Sequence, residues 1–174
     1  SGLSTDVINA SEILNRQVVL PPKTLLVSIS QSGETVDVLE AMNIAKEQGV
    51  LQITISKSVN SQTSRIADGT IYTRAGIERG VASTKTFTTS LVALYLLSLK
   101  LAQKQDRLTE ADLEMHILQL LGMPAMVEKQ LQTLEGVRIL SKQLANFDHI
   151  LFLGRGTTLP IAMEGALKMK EVSY

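Results

Sequence analysis

Apolar runs and amphipathic stretches alternate over the first hundred residues. Leu25-Leu26-Val27-Ser28-Ile29 follows Pro21-Pro22 and reads as a strand of the kind covered on both faces in a parallel sheet. The period then changes. Over residues 35–48, Val38, Met42 and Ala45 share one helical face, Asp37, Glu40, Lys46 and Glu47 fall mostly elsewhere, and Gly49 supplies the stop. Residues 50–56 return to a β-rich pattern, 61–67 read as a short helix and 69–73 as a third strand. A long helix is predicted over 84–104. Its segment 91–97 is apolar around most of the circumference, which requires burial on several sides, as a central helix or at a subunit contact. Ahead of all this, residues 11–15 read as a brief helix after a short strand at 6–8.

The order β-α-β-α-β predicts an α/β fold: a three-layer α-β-α sandwich with a parallel sheet, of the flavodoxin-like nucleotide-binding type. Such sheets bind ligands beyond the carboxyl ends of their strands. From Gln105-Asp106-Arg107 the pattern becomes helical, with breaks at Gly122 and Pro124. Leu113, Ile117, Leu120 and Leu121 fit one helix; Met126, Gln130, Leu134 and 137–144 fit the next one or two. Ile150-Leu151-Phe152-Leu153 then reads as a strand, Gly154-Arg155-Gly156-Thr157-Thr158 as a loop, and the chain from Pro160 as a last helix. This is the start of a second β-loop-α unit.

Composition narrows the chemistry. The 174 residues contain 17 Lys plus Arg and 17 Asp plus Glu, so no net field draws nucleic acid or an anionic membrane. There is no cysteine, which excludes disulfides, thiolate metal sites and a thiol nucleophile and fits the cytoplasm. The two histidines, His116 and His149, lie in no ligand-spaced motif, so neither a metal nor another cofactor is indicated. The most apolar stretch, 91–102, carries Ser98 and Lys100 and falls short of the ~18 residues of a membrane span. The chain opens on Ser1 without methionine and stops at Tyr174 inside a helical pattern, so a piece of a longer protein is expected.

The candidate site is Ser30-Gln31-Ser32-Gly33-Glu34-Thr35, between the first strand and the first long helix. A strand, a hydroxyl-rich loop and a helix start gather N–H and O–H donors at the positive end of a helix, which suits a phosphate. Plain capping needs one hydroxyl. Here three hydroxyls and an amide crowd around a glycine whose missing side chain lets a ligand approach the backbone. The Walker loop requires a Gly-Lys-Ser/Thr ending and the dinucleotide fingerprint three glycines, so neither applies. Glu34 would repel a phosphate; its carboxylate should point away or serve a helix dipole.

Two further constellations stand out. Six hydroxyl residues between Ser83 and Ser90 are a poor choice for an ordinary helix. They cap it and bond back to carbonyls, or Ser83 with the backbone of Val81 forms a second wall of the pocket. Glu164, Lys168 and Glu171 follow i, i+4, i+7 spacing, which describes a solvated salt-bridged stripe. Their flanks, Pro160, Ile161, Leu167 and Val172, point instead to a partly buried cleft. In such a cleft a carboxylate moves a proton between neighbouring carbons while an ammonium holds a developing oxyanion.

The run 30–35, the run Gly80-Val81-Ala82-Ser83-Thr84-Lys85, and Leu153-Gly154-Arg155-Gly156 with residues 164–171 together resemble the sugar isomerase (SIS) half of the glucosamine-6-phosphate synthase family. The first run is shared by many SIS proteins, and the other two are more specific. The resemblance spans nearly the whole chain. It implies a first SIS subdomain over 1–104, lacking its amino-terminal strand and helix, and a helical linker with the start of a second over 105–174. It also implies conversion of fructose 6-phosphate and ammonia to glucosamine 6-phosphate, the ammonia coming from a glutaminase domain in the parent chain, and a homodimer. Ser30, Gln31, Ser32 and Thr35 would hold the phosphate, Val81 and Ser83 would contact the sugar, and Lys168 and Glu171 would move protons. The family's Cys-Gly-Thr-Ser loop, ring-opening histidine and imine-forming lysine are expected outside residues 1–174, so the isolated chain is expected to bind without turning over. Arg79 stands where the family carries a small or apolar residue. The alternative is a non-catalytic SIS module that senses a phosphosugar in a regulator.

Overall fold

The computed structural model describes residues 2–16 and 18–173; Ser1, Gln17 and Tyr174, the two ends of the chain among them, lie outside the described residues. Two compact units are present, Ser1–Leu101 and Ala102–Tyr174.

The first unit is α/β. Strands β1 (Leu25–Ser30), β2 (Leu51–Ser56) and β3 (Gly69–Tyr72) form a parallel sheet in that order. The register runs from Leu25↔Leu51 to Ser30↔Ser56, and from Ile53↔Gly69 to Ser56↔Tyr72. Parallel neighbours require crossovers, supplied by α2 (Val36–Glu47) and the five-residue α3 (Gln62–Ile66). α1 (Ala10–Arg16) packs on α2, which packs on β1 and β2. Residues 6–8, expected as a strand, are extended but join no sheet; with three residues and no neighbour to pair with, they have no ladder. Gly49, at φ +71°, adopts the left-handed conformation that ends α2.

Met42 and Ala45 of α2 are buried, with Val38 half-buried beside them. They lie over an unexpectedly polar sheet face. Ser28, Ser30, Gln52, Thr54 and Ser56 are buried, whereas Ile29 is 46% exposed. Gln52 ties that face to the helix, its Nε2 donating to the Met42 carbonyl at 2.8 Å. α4 (Lys85–Lys104) buries Thr86, Ala93 and Leu99 and leaves Leu91, Tyr95 and Leu96 exposed.

The second unit is helical: α5 (Glu110–Leu131), α6 (Glu135–Leu144), a 3₁₀ turn (Gly156–Thr158) and α7 (Leu159–Ser173). A capping box starts α5, with the Asp112 N–H donating to Thr109 Oγ1 and the Thr109 N–H to Asp112 Oδ2, both at 3.1 Å. The breaks expected at Gly122 and Pro124 do not occur, and α5 runs through both for 22 residues. Good helix formers on either side (Leu118, Gln119, Leu120, Leu121, Ala125, Met126, Glu128, Lys129) outweigh the local cost of the proline. Nor is Ile150-Leu151-Phe152-Leu153 a strand: no described residue pairs with it, and Leu151 and Leu153 are exposed. Of the four, Phe152 packs against α7. An added Cβ on Gly165 would meet the Phe152 ring at 3.0 Å, so the aromatic ring rests on the glycine of α7.

Candidate functional site

The loop between β1 and α2 is built almost entirely from its own hydroxyls. The Gly33 N–H donates to Ser30 Oγ at 3.0 Å, the Glu34 N–H to Ser32 Oγ at 3.1 Å, and Ser30 Oγ and Thr35 Oγ1 share a proton at 3.1 Å. Thr35 occupies the N-cap position of α2, yet its side chain makes no capping bond. Its hydroxyl is turned to Ser30. Of the three hydroxyl protons on Ser30, Ser32 and Thr35, these bonds spend one, leaving two without a partner in the loop beside the uncapped first turn of a 12-residue helix. That is donor chemistry for an anion.

The loop is fixed from behind. The Lys57 N–H donates to the Gln31 carbonyl at 3.3 Å and the Thr63 N–H to the Gly33 carbonyl at 3.1 Å. Glu34 turns away and accepts from the Gln62 N–H at 2.8 Å and from Gln62 Nε2 at 2.6 Å, holding the start of α3. Gly33, at φ +69°, is buried; an added Cβ would lie 2.5 Å from Ser61 Cβ and 2.7 Å from Thr63 Oγ1. The space of its missing side chain is therefore filled by α3 residues rather than left open for a ligand to approach, as the sequence reading expected. A depression of about 410 Å³ lined by Glu34, Gln62, Arg65 and Ile66 borders the loop, but among 30–35 only Glu34 lines it.

Val81 and Ser83 sit in the loop before α4, Val81 93% exposed and Ser83 half-buried. The Ser83 hydroxyl hydrogen-bonds the Thr86 hydroxyl. Thr88, Thr89 and Ser90 bond back to carbonyls one turn earlier, so back-bonding accounts for half of this hydroxyl cluster. Sequence reasoning missed Glu78. Its carboxylate accepts from the Thr84 and Thr86 N–H groups, both at 3.2 Å, and from the Thr86 hydroxyl at 3.1 Å and the Thr84 hydroxyl at 3.3 Å. Those bonds, the Thr86 N–H foremost, hold its carboxyl below the usual carboxylate range.

In the second unit Lys168 Nζ lies 2.9 Å from Glu171 Oε2 and 3.3 Å from Glu164 Oε1. The three side chains are only 22–31% exposed, so the stripe is neither fully solvated nor fully buried. The hydrogen bond to Glu171, then the contacts with Glu164, raise the Lys168 pKa and keep it an ammonium at neutral pH. Gly154 approaches the turn into α7 closely: an added Cβ would lie 2.5 Å from the Thr158 carbonyl oxygen. Among the described residues no cluster of three or more His, Asp or Glu side chains is placed to hold a metal, and no helix is long and apolar enough to cross a membrane.

A parallel sheet flanked by helices, with a hydroxyl loop at the carboxyl end of its first strand, is an α/β domain of the kind that binds ligands at that end. The SIS-domain profile matches residues 1–100, and the chain belongs to the SIS family. It is 42% identical over 175 residues to the glutamine–fructose-6-phosphate aminotransferase (isomerizing) of Haemophilus ducreyi, covering 100% of this chain and 29% of that protein. The enzyme of the same name from Legionella pneumophila (strain Lens) is 46% identical, with coverage of 100% and 28%. Among solved structures, the C-terminal domain of glucosamine-fructose-6-phosphate aminotransferase from Francisella tularensis superimposes with a TM-score of 0.91 at 43% identity, over 95% of this chain and 47% of that one. The chain thus spans under a third of the length of the curated relatives it matches.

Proposed function

We propose that this chain is the sugar-phosphate-binding and isomerising part of an enzyme that makes glucosamine 6-phosphate from fructose 6-phosphate and glutamine-derived ammonia. The observation that carries the reading is the start of α2, where the Thr35 hydroxyl pairs with Ser30 rather than capping the helix and the loop's internal bonds use only one of three hydroxyl protons. A phosphate dianion accepts from such donors and from the first-turn N–H groups. Ser30, Gln31, Ser32 and Thr35 hold the phosphate, and Val81 and Ser83 form the sugar wall.

The residues proposed to carry the chemistry are Lys168 and Glu171. Lys168, whose pKa the bond to Glu171 raises, holds as an ammonium the oxygen on which charge develops. Glu171 moves the proton between neighbouring carbons of the open-chain sugar. The names and lengths of the relatives support a glutaminase domain in the parent protein. A cytoplasmic homodimer belongs to the same proposal; the exposed Leu91, Tyr95 and Leu96 on α4 are the apolar surface it would use. Residues 105–174 are proposed to begin a second SIS subdomain. The phosphate loop alone would serve a non-catalytic sensor equally well; Lys168 held between the carboxylates of Glu164 and Glu171 supports the enzyme reading.

Amide hydrogen exchange tests the assignment. Fructose 6-phosphate should protect residues 30–35 and free fructose should not; equal protection by the unphosphorylated sugar removes the phosphate site.

A further inference from the structure

The hydrogen bonds around Ser83 have a direction. Glu78, ionised, can only accept. The buried Thr86 has one hydroxyl proton, and its Oγ1 lies 3.1 Å from Glu78 Oε2. Were that proton given to Ser83, lone pairs of a hydroxyl and a carboxylate would face each other at hydrogen-bonding distance with nothing between them, so the proton goes to Glu78. Thr86 can then only accept from Ser83, and the Ser83 hydroxyl is spent as a donor.

We infer that Glu78, through Thr86, is a positioning residue that makes Ser83 a hydrogen-bond acceptor toward the ligand, and that what Ser83 accepts is a hydroxyl of the sugar rather than any oxygen of the phosphate. This rests on the sugar-phosphate reading above and adds to it a polarity for each wall. The loop 30–35 offers two hydroxyl protons, which suit the phosphate, an acceptor at every oxygen. Ser83 offers lone pairs, which repel the phosphate and suit a hydroxyl or amine. On the sugar-phosphate reading, a ligand that meets both sets of groups places its phosphate at 30–35 and a hydroxyl or amine at Ser83.

The experiment measures binding of fructose 6-phosphate and its monodeoxyfluoro analogues to this chain and to Ser83→Ala, Thr86→Val and Thr86→Ser. Fluorine keeps the size of a hydroxyl but cannot donate. With the wild-type chain one analogue should bind roughly three- to tenfold more weakly than the parent sugar, the cost of one lost hydrogen bond. That penalty should vanish in Ser83→Ala, shrink in Thr86→Val, where the Ser83 proton is released, and return in Thr86→Ser. Inorganic phosphate should bind all four proteins within about twofold, a pattern that general loosening of the loop would not produce. If Thr86→Val does not fold, the Ser83→Ala arm still decides. A penalty that survives in Ser83→Ala, persists unchanged in folded Thr86→Val, or is absent from every analogue overturns the inference while fructose 6-phosphate still binds in preference to fructose. Loss of that preference in the wild-type chain overturns the sugar-phosphate reading itself, and this inference with it.

Discussion

Replacing Gly33 by alanine tests whether the loop is held as tightly as its geometry indicates. Two costs combine. At φ +69° an alanine pays about 1–2 kcal/mol for the left-handed conformation. Its Cβ would also stand 2.5 Å from Ser61 Cβ and 2.7 Å from Thr63 Oγ1, a clash that neighbouring backbone must relieve at about 1–3 kcal/mol. The expected loss is about 2–5 kcal/mol, a large part of the ~5–15 kcal/mol that holds an ordinary domain. Urea unfolding of the wild type, Gly33→Ala, Ser61→Gly and the double variant measures it. Ser61→Gly removes both the Cβ and the Oγ in the way but leaves Thr63 Oγ1, so the double variant should recover only the share of the clash that Ser61 imposes and keep the rest, giving a favourable coupling of about 1–2 kcal/mol. Fructose 6-phosphate binding should fall in Gly33→Ala and partly return in the double variant, since the Gly33 N–H donates to Ser30 Oγ and any shift there moves the hydroxyls. A destabilisation below about 1 kcal/mol, or additive single changes, would refute the view that α3 packs into the place of the missing side chain.

Ser32→Ala with Thr35→Ala should weaken fructose 6-phosphate binding by about 1–3 kcal/mol in calorimetry, the range for hydrogen bonds to a charged group, and should lower unfolding stability modestly because each hydroxyl also makes a bond within the loop. In the full-length enzyme that the proposal assigns, Glu171→Gln should cut turnover by about 10²–10⁴ with sugar-phosphate affinity retained; wild-type turnover would make the Glu164, Lys168 and Glu171 stripe structural. Glu78 and Asp112 are held below the usual carboxylate range, Glu78 chiefly by the Thr86 N–H and Asp112 chiefly by the Thr109 hydroxyl. Their contribution is present above pH of about 4 and lost as pH falls through the depressed folded values, so the stability gap between wild type and Glu78→Gln or Asp112→Asn should close on acidification. Lys168, raised by its bond to Glu171, contributes fully below pH of about 10.4 and loses that contribution as pH rises through its folded value; a Lys168→Met comparison should converge only in alkali.

What could be read from the sequence divides by the range of the interaction that decides it. β1, α2, β2, α3 and β3 were legible because period, glycine stops and hydroxyl starts are local, and the loop 30–35 because its residue types crowd within six positions. Burial within the strands was not. The run Leu25-Leu26-Val27-Ser28-Ile29 points to an apolar interior, yet Ser28 and Ser30 face α2 and Ile29 is exposed, since which face a helix covers is a tertiary choice. Ile150-Leu151-Phe152-Leu153 has strand composition and no ladder, because pairing requires a second chain segment that composition does not contain. Pro124 was read as a break on propensity, where the turns around it sustain the helix. Glu78 is the most instructive case. A search for caps looks at hydroxyls within three residues of a helix start, and here such hydroxyls abound in Ser83, Thr84 and Thr86. The group that takes the N–H donors is a carboxylate six and eight residues upstream, reached only because the loop folds back on the helix. With the carboxylate in that place, the hydroxyls of Thr84 and Thr86 are its donors rather than the caps.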